Sequence, residues 1–420
     1  MHCFANAPYG IFNSKLKTQN SHHSPTPSLP HPTIPIPHHP ITPIPHHPPH
    51  SLSPKSMPSK PPPSSRPTRD HPTAPNQDLL QLRWRTTLAD YVSAIAWAPD
   101  GTYLAASSTA GEVMLYDSTT GTPTQLHSCP NQAISTLAFS ADGQYLAAAG
   151  QGGRLLVWQL DGNTPTPIIQ EAWGRHWIEQ IAWHPHQPQL ALGLGRTVQL
   201  WDVQIPEILA TFPFDSSSIL TLAWHPSGEY LSAGGNQAVK TWHSPAWEDD
   251  PQVRETGSAS GAIAWSPDGQ YLAAGNHDRT LLIWAENNPY PWRMQGFPGK
   301  VRQLSWGYCQ GQSTLPVLAS TSAEGMVIWL KDSDPEGKWD ARVFDLHQGD
   351  ITAIAFQPQG QLLASAAEDG WVCLWREAAQ AAQILPGAPH GFSTLAWHPQ
   401  GQGLAAGGFW GEIVTWGAIT

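Results

Sequence analysis

The chain has 420 residues and carries 21 Lys and Arg against 32 Asp and Glu, a formal charge of −11 with only 13% of residues charged. That acidic balance argues against a general nucleic-acid binder, which needs a basic face to displace counterions from phosphates. No run of about 18 consecutive apolar residues is present, which excludes a membrane-spanning helix, and the first 20 residues lack the apolar stretch of a secretory signal. Cys3, Cys129, Cys309 and Cys373 form no CxxC pair, so neither a cysteine zinc module nor a disulfide framework is expected, and a reducing cytoplasm fits best.

Residues 1–77 hold 20 of the 42 prolines, 10 of the 20 histidines and none of the 21 tryptophans. With 6 basic residues against 1 acidic the segment is +5, which leaves the rest, 15 against 31, at −16. So few aromatics cannot bury enough surface to offset chain entropy, and a disordered segment with polyproline II character is expected. Within it Pro35-Ile-Pro-His-His-Pro40 recurs as Pro43-Ile-Pro-His-His-Pro48. His38, His39, His46, His47 and His50 could hold Zn²⁺ or Ni²⁺ as neutral imidazoles. Such a site would be labile, and the plainer reading is a low-complexity linker or an over-extended gene start, since Met57 lies beyond nearly all these histidines. PxxP spacing at Pro32–Pro35 and Pro37–Pro40 says little in so proline-rich a stretch.

From Asp78 the composition turns to Trp, Gly, Ala and alternating apolar residues, and 80–88 reads as one strand. Ala94-Ile-Ala-Trp-Ala-Pro-Asp-Gly-Thr-Tyr-Leu-Ala-Ala106 then returns as Ala262-Ile-Ala-Trp-Ser-Pro-Asp-Gly-Gln-Tyr-Leu-Ala-Ala274. Related copies begin at Thr136, Gln180, Thr221, Gln303, Ala353 and Thr394. Each copy carries a first aromatic (Trp97, Phe139, Trp183, Trp224, Trp265, Trp306, Phe356, Trp397). Each ends about twenty residues later on a second (Tyr116, Trp158, Trp201, Trp242, Trp284, Trp329, Trp375, Trp416). Successive second aromatics are 42, 43, 41, 42, 45, 46 and 41 residues apart, which makes eight copies of one unit.

The anatomy of a unit follows from its residues. An alternating run ending on the first aromatic is a half-buried strand, and Pro-Asp-Gly is a tight turn in which Gly accepts positive φ. Tyr-Leu-Ala-Ala is a second strand with small residues, a Gly-containing turn leads into a third, and a less regular fourth follows, as at 339–344. Four short strands are not stable alone, but stacking the units radially buries both faces of each sheet. Each large aromatic buries about 150–250 Å², at most roughly 4–6 kcal/mol, so both are expected to pack between units.

These endings (Leu115-Tyr116-Asp117, Leu200-Trp201-Asp202) and the turn Ser266-Pro-Asp-Gly269 resemble the WD-repeat β-propeller family over about 79–416. The resemblance implies an all-β propeller, 78–420, closed by lending strand 80–88 to the last unit. That closure gives eight blades, seven being the commoner number in the family. It also implies a hydrogen-bond tetrad, filled in the seventh copy by His347, Ser365, Asp369 and Trp375, whereas the fifth has Ala274 in the Ser place. His347, Ser365 and Asp369 have hydrolase-triad residue types, but no GxSxG elbow accompanies them, so a structural network rather than catalysis is expected. The histidines of three Trp-His-Pro triplets, His184, His225 and His398, are expected as surface turn residues.

The resemblance further implies a non-catalytic scaffold, monomeric by itself, that binds a protein or peptide and neither nucleic acid nor membrane. No cofactor is expected, adventitious Zn²⁺ or Ni²⁺ on the tail aside; a metal-handling role for that tail and a propeller enzyme are the rival classes. The expected contacts are aromatic and Arg residues on loops of the narrower face: Trp173, Arg175, His176 and Trp177 leading into the third blade, and Phe409 and Trp410 in the last.

Overall fold

Each of the first seven copies of the repeat folds into a four-stranded antiparallel sheet, hydrogen-bonded in sequence order. The computed structural model describes residues 78–419 apart from 161–163, 175, 216, 287, 309–314, 333–336, 359 and 379. The Pro- and His-rich segment 1–77, with His38, His39, His46, His47 and His50, lies outside the described residues. No helix among the described residues is long and apolar enough to cross a membrane.

The first blade shows the plan: Val92–Trp97, Tyr103–Ser108, Glu112–Asp117 and Pro123–Ser128. Gly101 (φ +79°) turns the first hairpin, its N–H bonded to the Ala98 carbonyl at 2.8 Å, while Asp100 accepts the Thr102 N–H at 2.9 Å. Seven blades follow this order. The eighth contains Phe392–Trp397, Gly403–Gly408 and Glu412–Ala418, and its fourth strand is Leu80–Thr87, which runs from Leu80↔Ala418 to Thr87↔Glu412 with a bulge between Leu82 and Trp84. The structure therefore has eight blades. The sixth is complete despite its longer first hairpin, since Gln303–Tyr308 pairs with Pro316–Ser322 up to Tyr308↔Pro316.

First strands of neighbouring blades touch all the way round, Val92–Trp97 meeting both Ile134–Phe139 and Phe392–Trp397, so the ring is closed. Second strands, sandwiched between neighbours, are Ala-, Gly- and Ser-rich because little side-chain room is left; Tyr145–Gly150 and Gly403–Gly408 are buried throughout. All eight second aromatics are buried.

The first aromatics do more than pack. Indole N–H groups of Trp97, Trp183, Trp224, Trp306 and Trp397 donate to the carbonyls of Ala396, Ala138, Ala182, Ala264 and Ala355 at 2.9–3.1 Å. Each acceptor is the residue just before the first aromatic of the preceding blade. Trp265 donates instead to Ser232 Oγ at 3.1 Å. Phe139 and Phe356 have no ring N–H to give, so the seams behind the second and seventh blades lack this bond.

A second set of bonds points the other way, and corrects the reading of the Trp-His-Pro triplets. Their rings are not on the surface: His184, His225 and His398 are buried. Each Nε2–H donates to the turn-glycine carbonyl of the next blade, Gly228 (3.1 Å), Gly269 (3.1 Å) and Gly101 (3.2 Å), and Gln357 does the same to Gly401 at 2.6 Å. Where the position is Ser it serves its own turn instead, Ser140 on Asp142 and Ser266 on Asp268. At the sixth blade it is Gly307, and beside it lies a pocket of about 510 Å³ lined by Trp306, Tyr308, Phe356 and Pro358.

His184 and His398 are neutral, because Nδ1 accepts backbone N–H: His186 and Gln187 on His184 at 3.0 Å, Gln400 on His398 at 3.4 Å. Burial pushes both His184 and His398 below the ordinary 6.5; the Gly228 carbonyl opposes this at His184 while His186 adds to it, and the Gly101 carbonyl and Asp100 oppose it at His398. With the folded pKa depressed, the unfolded chain binds more protons below pH 6.5, so stability falls as pH drops through that window. Thermal melts are expected to lose stability below about pH 6.5. The double variant His184→Gln/His398→Gln, which copies the residue type of Gln357, is expected to flatten that slope; an unchanged slope would place the acid sensitivity elsewhere.

Candidate interaction face

Antiparallel order puts two kinds of loop at the same end of the ring, the loops leading into each blade and the turns between second and third strands. Both groups of expected contacts fall there. In the third blade, Ile178 opens the first strand with its side chain buried, so alternation turns Trp177, one residue earlier, outward to 55% exposure. Trp177 borders an open depression of about 540 Å³ with Thr109, Asn131, Gln132 and Gln151 from the first and second blades. His176 is exposed, its Nδ1 2.9 Å from the Trp173 carbonyl. Trp173 is held inward: its N–H donates to the Gly153 carbonyl at 2.8 Å and its ring meets Trp201 edge-on at 5.9 Å. Arg175 lies outside the described residues.

In the last blade the turn Phe409-Trp410-Gly411 splits in the same way. Phe409 stacks on Tyr91 (5.3 Å, 27°) from the loop into the first blade, whereas Trp410 is 66% exposed and lies flat on His390 (3.3 Å, 13°). Its N–H donates to Glu412 Oε2 at 3.0 Å, which fixes the turn. Tyr91 and His390 were not singled out from the sequence. A signal for Tyr91 exists: it stands six residues before its first aromatic, as Trp177 does, and no other blade has an aromatic ring there.

The surrounding charge is one-sided. Residues 88–91, 108–112, 368–370, 387–391 and 408–412 carry Asp90, Glu112, Glu368, Asp369 and Glu412 and no Lys or Arg. Glu112 accepts the Ala89 N–H and the Ser108 hydroxyl, both at 2.9 Å, while Glu368 is exposed. Burial raises the Tyr91 hydroxyl pKa, a hydrogen bond with Ser393 opposes this, and the Glu368 charge adds to it. Across the ring the same end carries Arg279, Lys300 and Arg302, the last paired with Asp350 at 3.0 Å.

His347, Ser365, Asp369 and Trp375 form one network: Trp375 Nε1–H donates to Ser365 Oγ (2.8 Å), Ser365 bonds His347 Nε2 (2.7 Å), and His347 Nδ1 bonds Asp369 Oδ2 (2.9 Å). Burial pushes the Asp369 carboxyl up, but His347 and the N–H groups of Gln348 and Trp371 outweigh it and hold it below the ordinary value. Ser365 is fully buried and His347 nearly so, which denies a substrate access to the hydroxyl. A different network, invisible in the sequence, serves the fourth blade. Arg254 donates to Thr241 Oγ1 (3.0 Å), which bonds Ser232 Oγ (2.9 Å), the acceptor of Trp265; burial pulls the Arg254 pKa down to about 10. Among the described residues no group of three or more His, Cys, Asp and Glu is placed to hold a metal ion.

The family described as WD domain, G-beta repeat matches residues 206–243, 256–285 and 340–376, in the third to fifth and sixth to seventh blades. The chain is a WD-repeat β-propeller. The family described as anaphase-promoting complex subunit 4 WD40 domain matches 77–142, which in this propeller spans the closing strand, the first blade and the start of the second. No curated protein matches the chain.

Proposed function

We propose that this WD-repeat propeller is a non-catalytic scaffold that binds a protein or peptide through the end of the ring bearing Trp177 and Trp410. One observation carries the reading: both indoles, 55% and 66% exposed, stand on short turns anchored by buried strands. Rigid presentation lowers the ordering cost of association, and Trp dominates binding hot spots. The likeness to WD40 repeats and to the WD40 domain of a complex subunit supports the same class of function. Trp173 and Phe409, part-buried, hold these turns, and His176 flanks Trp177.

The test is affinity purification with mass spectrometry, using the full chain and its Trp177→Ala/Trp410→Ala variant as parallel baits. A stoichiometric partner captured by the wild type and lost by the variant, with an unchanged melting temperature, is the expected result. Equal capture by both baits would remove the binding site from this end.

A further inference from the structure

We propose that the junction of the eighth and first blades binds a cationic peptide segment, an arginine side chain lying on the ledge formed by Trp410, His390, Phe409 and Tyr91. The inference deepens the binding face proposed above and rests on that reading.

The ledge is two stacked pairs built on successive residues of one turn, Tyr91 on Phe409 and His390 on Trp410, with the Trp410 ring 66% exposed. A guanidinium is planar and weakly hydrated, and it stacks on such a face through its positive charge and the ring quadrupole. The turns around the ledge supply Asp90, Glu112, Glu368 and Glu412, and none of these carboxylates pairs with a Lys or Arg among the described residues. Their hydrogen bonds are local: Asp90 with the Tyr91 N–H (2.7 Å), Glu112 with Ala89 and Ser108, Glu412 with Trp410. An apolar or acidic partner would bury these charges unpaired, at a cost in lost hydration. A basic one neutralises them and places its cation on the ring. Arg279 and Lys300 across the ring repel such a segment and so fix its direction, and residues 78–420, at −16, steer it in.

The test is fluorescence anisotropy at about 150 mM NaCl with the full chain and a labelled peptide of five Arg-Ser repeats, with Lys-Ser and Glu-Ser peptides as comparisons. The Arg peptide is expected to bind more tightly than the Lys peptide and at least about 10-fold more tightly than the Glu peptide. Trp410→Ala and Glu368→Gln are each expected to weaken it about 5-fold. Tyr290→Ala removes a 79%-exposed ring from the opposite end and is expected to change nothing. Equal Arg-peptide binding by the wild type and both ledge variants would reduce the effect to diffuse attraction and overturn the proposal, as would no binding to the wild type. A partner captured in the purification above and lost by its Trp177→Ala/Trp410→Ala variant, alongside such a null, would leave the scaffold function standing and fail only the cationic ledge.

Discussion

Deleting residues 1–88 is expected to abolish the single cooperative unfolding transition, leaving a chain that aggregates or melts without a defined midpoint. The lost strand Leu80–Thr87 joins three blades. It pairs along the length of Glu412–Ala418 in the eighth. Its Leu80 exchanges bonds with the Gln383 side chain of the seventh, N–H to Oε1 at 2.9 Å and Nε2–H to carbonyl at 2.8 Å. Its Trp84 donates to the Ser118 carbonyl of the first at 3.1 Å and lies 5.6 Å from the Tyr116 ring. Leu80 and Leu88 are buried, about 1.5–3 kcal/mol each, and the deletion strips the pairing edge of Glu412–Ala418 at the point of closure. Together these losses approach the roughly 5–15 kcal/mol that holds an ordinary domain folded. Deleting residues 1–77 instead spares the strand and is expected to leave the midpoint within about 2 °C. Calorimetry of the two truncations decides the matter: a normal transition for the shorter chain would show that the ring holds without its closing strand.

The fold and blade number were legible because they rest on spacing. Aromatics at 41–46 residues with a Gly turn between strands leave few other ways to bury every unit. What the pattern could not show is where polar atoms go once the ring is assembled. Trp183 and Phe139 occupy equivalent places and read alike as apolar, yet only the indole bonds across a seam. His184 replaces a Ser in a turn and so looked exposed; it is buried because the next blade's turn sits over it, a contact 44 residues away in sequence. The Arg254 network has the same origin, since Trp265 reaches Ser232 from another blade. At the interaction face residue type picked the loops, but Trp173 and Trp177 could not be told apart until the Gly153 carbonyl and the Trp201 ring held one in and the strand opening at buried Ile178 turned the other out.

The histidine contacts also predict a coupling between blades. Gly228 holds φ +80°, and a Cβ there would stand 2.5 Å from His184 Nε2 and press on Cε1. Gly228→Ala therefore incurs two costs, about 1 kcal/mol for the left-handed backbone and about 2 kcal/mol for a displaced ring and a lost buried bond. His184→Ala alone is expected to cost about 2–3 kcal/mol, since it empties space in a seam and orphans the Gly228 carbonyl. With the ring already gone, Gly228→Ala has only its backbone cost left, so the double variant should fall short of the sum by about 2 kcal/mol. Gly257 provides the reference, because its φ is +72° and no atom lies within 4 Å of an added Cβ; Gly257→Ala should cost about 1 kcal/mol in either background. Urea denaturation of the six chains measures the cycle. Strict additivity at Gly228 would mean that ring and turn do not share a contact, whereas a shortfall matched at Gly269 with His225 and at Gly101 with His398 would identify each histidine as the residue that seats one blade on the next.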